Sequence, residues 1–253
     1  MRFPDHSAII CEDASVSYRE LWDRCMRMAA GLCRRGVRPG LQVGVLLPNG
    51  PDFVAVYYAA RALGASVVAV QGMLAEPEVE RVVTDSAVSL LVCPDHLHRL
   101  YRTITLCVAP YDLVRERYEA DLIGEAEPDV TSPFLLSRQD ILYRCLPLSQ
   151  YFGRVAMHAC VGAGATLVLD DGFVAETALR ALTKHQCTVM TGSLPMYRPL
   201  IDTLRSAPGL RPPRLKHIYS EGLVVPKETK DELFPLLGCS VHELPMFDRN
   251  KVI

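Results

Sequence analysis

No stretch of the chain approaches the ~18 consecutive apolar residues that a membrane-spanning helix needs. The first thirteen residues hold no apolar segment of signal-peptide length. No basic run stands out, and 27 Lys and Arg against 29 Asp and Glu leave a net charge of -2, so phosphate neutralisation on nucleic acid is not expected. None of the nine cysteines stands in Cys-x-x-Cys spacing, and most lie among apolar residues, as Cys107 and Cys187 do; reduced, buried thiols are expected rather than a disulfide framework. These absences exclude membrane, nucleic-acid and disulfide-scaffold classes and lead to the expectation of a cytoplasmic protein.

What is present is a repeated alternation of strand and helix patterns. Ser17 with Glu20 three positions later forms a reciprocal helix-start signal, and Leu21, Trp22, Cys25, Met28, Ala29 and Leu32 follow at three-to-four spacing. Gly36 ends that helix, and Arg38-Pro39-Gly40 leads into a strand over Val43–Leu47. A helix from Pro51 to Gly64 comes next, then a strand over Ser66–Val70 that reads as buried on both faces, a helix over Glu76–Asp85 and a strand over Ser89–Val92. After residue 145 the alternation resumes: strands at Thr166–Leu169, Thr188–Thr191 and His217–Tyr219, helices at Val174–Lys184, Pro195–Leu204 and Pro226–Leu237. Apolar strands joined by helices predict an α/β fold with two mainly parallel sub-sheets covered on both faces. The sub-domains are expected at about 1–113 and 141–253, with the acidic, aperiodic segment 114–140 as a linker. In such sheets ligands bind beyond the carboxyl ends of the strands.

Several segments then become recognisable. Pro4-Asp5-His6-Ser7-Ala8-Ile9-Ile10 and Val16-Ser17-Tyr18-Arg19-Glu20-Leu21 open the chain. They are followed by Gly36-Val37-Arg38-Pro39-Gly40, Pro48-Asn49, Arg61-Ala62-Leu63-Gly64-Ala65 and Asp85-Ser86-Ala87. Leu146-Pro147-Leu148-Ser149-Gln150-Tyr151-Phe152-Gly153, Gly162-Ala163-Gly164-Ala165-Thr166 and Pro195-Met196-Tyr197 complete the order. Together these residues resemble the N-terminal portion of the adenylate-forming superfamily, which includes acyl- and aryl-CoA ligases, luciferases and peptide-synthetase adenylation domains. The resemblance implies a carboxylate activated on the α-phosphate of ATP and then transferred to a thiol. That chemistry uses a glycine-rich phosphate loop, a magnesium-binding Glu, a ribose-binding Asp and a Lys on a C-terminal domain.

Set against that pattern, parts of the machinery are missing. Between Gly124 and Gly153 there is neither glycine nor lysine, although backbone amides cradle phosphate closely only where glycine permits it. Val130-Thr131-Ser132-Pro133 is at most a remnant of the loop's first positions. Where the family carries Ser-Gly-Gly-Ala-Pro-Leu the chain has Ser220-Glu221-Gly222-Leu223-Val224-Val225. Pro245-Met246-Phe247-Asp248-Arg249 stands where Tyr-Gly-x-Thr-Glu is expected, which puts Arg249 at the place of the magnesium ligand. The sequence ends at Ile253, before the ribose Asp and the Lys-bearing domain of the family pattern.

The resulting expectation is a degenerate homologue that lacks ATP adenylation, needs no cofactor, and keeps a pocket for an acyl or aryl group, free or as a CoA or carrier-protein thioester. Ser149, Gln150, Thr191, Gly192, Ser193, Ser220 and Gly222 are the expected substrate-binding residues, by resemblance to the family's pocket segments. A repurposed hydrolase or cyclase is the alternative, with Ser220, Glu221, His242 and Asp248 as catalytic candidates; burial of Glu221 would suit a general base. A third reading is a ligase fragment completed by a separate partner chain. Cys93-Pro94-Asp95-His96-Leu97-His98 gathers ligand-type residues but has no second cluster to complete a tetrahedral site, so no metal is expected.

Overall fold

The computed structural model describes residues 3–12, 14–102, 104–114 and 133–245. The segment read as a linker falls largely outside this range, as do the Val130–Ser132 remnant, Asp248 and Arg249. The chain divides into two compact units, residues 1–7, 15–130 and 147–157 in the first and 8–14, 131–146 and 158–253 in the second.

The first unit is built on a four-stranded parallel sheet. In chain order its elements are α1 (Tyr18–Arg34), β3 (Gln42–Val45), α2 (Pro51–Ala62), β4 (Ser66–Ala69), α3 (Glu76–Asp85), β5 (Val88–Val92), α4 (Asp95–Tyr101), β6 (Leu106–Val108) and α5 (Pro110–Val114), with strand order β4-β3-β5-β6. The reciprocal start signal of α1 forms as read: Glu20 Oε2 accepts from Ser17 N at 2.8 Å, and Ser17 Oγ accepts from Glu20 N at 3.3 Å. Those bonds from Ser17 hold the Glu20 carboxyl below the ordinary carboxylate range. The apolar stripe of α1 is buried, but Trp22 stays half exposed. The strand at Ser66 is an edge strand rather than a doubly covered one, so its residues are only partly buried. The Cys93–His98 segment folds into the start of α4, with His98 Nε2 3.2 Å from the Cys93 carbonyl, and among the described residues no group of three metal-ligand side chains forms.

Two family-like segments of this unit are joined directly. Asn49 Oδ1, buried, accepts from Leu148 N at 2.8 Å across 99 residues of sequence. Gly153 is required by a close approach, since a Cβ there would stand 2.4 Å from the Pro147 carbonyl oxygen. Glycine at that point therefore lets the first turn of the helix α6 (Tyr151–Ala163) approach the Pro147–Leu148 backbone.

The second unit carries most of the larger sheet. Its strands are β1 (Ser7–Cys11), β2 (Ala14–Ser17), β7 (Ile141–Arg144), β8 (Thr166–Leu169), β9 (Val189–Ser193), β10 (His217–Gly222) and β11 (Ser240–Pro245), in the order β11-β10-β9-β7-β8-β1-β2. Helices α7 (Ala175–Lys184), α8 (Leu194–Ser206) and α9 (Lys227–Leu237) pack on one face, where Leu179, Leu200 and Leu233 meet Tyr143, Val168, Met190 and Ile218. Every pairing from β1 through β8, β7, β9 and β10 to β11 is parallel. The mixed α/β architecture with mainly parallel sheets is thus the expected one; β1, β2, β6, β7, α4, α5 and α6 were not marked by periodicity, being short or apolar all round.

Candidate functional site

Chain direction reverses within the larger sheet. From β7 the chain crosses through α6 to β8 on one side, then returns through α7 past β7 to β9 on the other. Right-handed crossovers place these two helices on opposite faces, and the strand ends at such a reversal are where parallel sheets generally bind ligands. The residues there are the carboxyl ends of β7 and β9, flanked by β10.

Arg144, the last residue of β7, occupies this position. Its side chain is wholly buried (0% exposed) and is the largest fully buried one among the described residues. Its guanidinium donates to Thr191 Oγ1 on β9 at 3.1 Å and to both carboxylate oxygens of Glu221 on β10, the second at 3.4 Å. Glu221 is 7% exposed. The register explains the reach: Thr191 pairs with Tyr219, and Glu221 lies two residues further along the same face of β10. Arg144 therefore spans β9 and ties three adjacent strand ends together. Its charge also acts at Cys160 on α6, whose thiol is pushed up by burial and then by Asp140, against Arg144.

The alternation of strand side chains sorts the expected site residues into two groups. Thr191, Ser193 and Glu221 share the Arg144 face of the sheet, as does His242 on β11, the register partner of Tyr219. Gly192, Ser220 and Gly222 lie on the other. Ser220 is fully buried there against Tyr197 of α8; neither hydroxyl has a hydrogen bond of ordinary geometry, although the serine hydroxyl is near enough to offset part of the burial that pushes the Tyr197 phenol up to about 12. A nucleophilic role for Ser220 with Glu221 or His242 would need all three on one face, and the strand period separates them. Glu221 is not a solvated loop carboxylate; it sits in β10 with both oxygens engaged by a cation, an arrangement that leaves little for a general base to offer.

His242 pairs instead with His217: Nδ1 of His217 lies 3.0 Å from Nε2 of His242, and the His242 ring stacks on Tyr219 at 5.0 Å. Desolvation, and then the neighbouring His217, hold His242 below the ordinary imidazole value. Phe134 meets the other edge of Tyr219 at 4.8 Å. Glu243, on the opposite face, accepts from Lys230 Nζ at 2.6 Å and from Val225 N at 3.0 Å. Ser149 and Gln150 belong to the first unit, where the Ser149 carbonyl accepts from Arg154 Nη1 and the Gln150 carbonyl from Arg154 N.

Sequence reasoning did not single out Arg144. Its signal was a lone charge in the apolar run Ile141-Leu142-Tyr143-Arg144-Cys145-Leu146, which demands a buried partner. A cleft of about 180 Å³ beyond β1 and β8, lined by Glu12, Asp170, Arg180 and Lys184 among others, lies on the α7 side and includes none of the Arg144 group. No helix among the described residues is long and apolar enough to cross a membrane.

With this geometry in place, comparison with known proteins is specific. A 3-hydroxybenzoate--CoA/4-hydroxybenzoate--CoA ligase of Thauera aromatica is 23% identical over 94% of this chain and 55% of its own length. A feruloyl-CoA synthase of Amycolatopsis is 35% identical over 50% of the chain and 25% of its own. The fold matches that of o-succinylbenzoate coenzyme A synthetase of Bacillus subtilis in complex with AMP, at a TM-score of 0.85 and 23% identity, over 97% of this chain and 57% of that one. The fold of VinN in complex with L-aspartate matches equally, at 0.85 and 20% identity, over 94% and 71%. The chain spans about half the length of the curated CoA ligase that it matches nearly end to end. The profile of the AMP-binding enzyme family matches residues 1–133 and 120–244. By that match the chain belongs to the AMP-binding enzyme family.

Proposed function

We propose that this chain recognises an acyl or aryl group at the strand ends of this reversal and does not by itself form an adenylate. The observation that carries the reading is the Arg144–Glu221 pair: where the family resemblance calls for glycine, the buried carboxylate of Glu221 stands in the grip of the Arg144 guanidinium. The absence of glycine and lysine between Gly124 and Gly153 points the same way. The alignment with the Thauera ligase covers 292 positions, more than the 253 of the chain itself, so the relative carries residues inside the matched stretch that this chain lacks. The ligand class follows from the relatives, whose names specify hydroxybenzoate and feruloyl groups and their CoA thioesters. An accessory role, holding such a group for another enzyme, fits these features.

Isothermal titration with Mg-ATP, together with pyrophosphate exchange in the presence of 4-hydroxybenzoate, tests this. Neither heat of binding nor exchange is expected; micromolar ATP affinity would sink the reading. Incubation with benzoyl-CoA and no ATP is expected to leave the thioester intact, and accelerated release would replace this reading with the hydrolase alternative.

A further inference from the structure

We infer that His217 and His242 form a two-imidazole binding site for a divalent transition-metal ion of tetragonal preference, nickel(II) or copper(II), with water completing the coordination. The inference goes beyond the acyl- or aryl-recognition reading and stands or falls without it.

The register of the larger sheet creates the pair. His217 lies opposite Ser240, and Tyr219 opposite His242, so the two histidines are diagonal neighbours on one face of β10 and β11. Nδ1 of His217 and Nε2 of His242 converge to 3.0 Å, and His242 is exposed, so a hydrated ion can reach them. Packing holds the rings in this pose. The His242 ring stacks on Tyr219 at 5.0 Å, and Tyr219 is itself buried and met by Phe134 at 4.8 Å. Side chains fixed in this way are set for an ion before it arrives, which reduces the ordering that binding would otherwise cost.

The separation of the nitrogens selects the class of metal. With metal–nitrogen bonds of about 2.0–2.1 Å, two imidazole nitrogens stand about 2.9 Å apart across a right angle and about 3.3 Å apart in a tetrahedron. The observed 3.0 Å is nearer the right angle, which is the geometry of nickel(II) and copper(II) rather than of zinc. Calcium and magnesium are unsuited, because they take oxygen ligands. Imidazole ligates only when neutral, and desolvation, then His217, hold His242 toward that form. Without the ion, one ring places its N–H between the two nitrogens. On binding, that proton moves to the other nitrogen of the same ring, so both lone pairs face the ion and no proton is gained or lost overall.

Nickel(II) chloride is the probe, because copper(II) would oxidise the free thiols of the chain. Calorimetry at about pH 7.5, where imidazole is neutral, is expected to show one equivalent bound by the wild type with micromolar affinity. His217→Gln and His242→Gln are each expected to bind nickel about tenfold or more weakly, and His96→Gln to bind as the wild type does. Calcium chloride is expected to give no heat of binding. In proton spectra the paramagnetic ion should broaden the imidazole signals of His217 and His242 before those of His6, His96 and His98. Unchanged nickel affinity in either His217→Gln or His242→Gln, an equal loss in His96→Gln, or an equal response to calcium would overturn the inference. If a variant does not fold, the order of broadening in the wild type decides: His217 and His242 first supports the site, and any other order refutes it.

Discussion

Arg144 and Glu221 stand on strands that are not neighbours, and the arginine side chain crosses β9 to bring them together. A buried pair of this kind makes each partner dependent on the other, because a lone charge in the interior has no water to solvate it. Arg144→Met and Glu221→Leu are each expected to destabilise the fold by about 3–5 kcal/mol, whereas the double variant stays within about 1–2 kcal/mol of wild type. Denaturant unfolding of the four chains gives the coupling directly, and additive losses would show that the pair does not act as a unit.

Asn49 provides a second long-range constraint. Its Oδ1 is the acceptor for the buried Leu148 amide at 2.8 Å. Asn49→Ala leaves that N–H without a partner and is expected to cost about 1–3 kcal/mol, more than Asn49→Asp, which keeps an acceptor oxygen. Hydrogen exchange at the Leu148 amide should accelerate in the alanine variant, and unchanged protection there would contradict the assignment.

The histidine pair predicts a pH dependence. His242 is held below its ordinary value of 6.5 by desolvation and then by His217, so the unfolded chain binds its proton first as pH falls. Its contribution is present above pH ~6.5 and is lost as acid protonates the unfolded state preferentially. Wild type should therefore lose more stability than His242→Gln between about pH 7 and pH 5, with the two curves parallel above pH 7.5. Parallel curves throughout would remove His242 from the account.

Thiol chemistry separates the cysteines by burial. Cys25, Cys93, Cys145, Cys160, Cys187 and Cys239 are buried, and desolvation pushes Cys25, Cys93, Cys187 and Cys239 up to about 12 and Cys145 up to about 11. Only the partly exposed Cys11, Cys33 and Cys107 are expected to react with a thiol reagent in the native state, and all nine in denaturant. Cys11 should be slower than exposure alone suggests, since burial and the charges of Glu12, Asp170 and Asp171 all favour its neutral form. Rapid native labelling of more than three thiols would contradict the packing described.

Much of this was legible in the chain itself. The alternation of periods 2 and 3.6, the start signal at Ser17 and Glu20, and the glycines that end helices are local properties, so they set the α/β class and most element positions before any contact is known. The missing glycines and lysine before Gly153 are likewise a matter of sequence alone. Short strands such as β7 were not legible, because a four-residue, mostly apolar run fits a buried helix equally well.

The site belonged to the tertiary structure. From sequence, Ser220, Glu221, His242 and Asp248 were separate catalytic candidates that nothing paired, and Arg144 was not singled out. Parallel register placed Ser220 on the far face, bound His242 to His217, and set Arg144 opposite Thr191 within reach of Glu221. Those relations join residues up to 77 positions apart. They depend on strand order and on which face each side chain takes, and a one-residue shift in register would reverse every face.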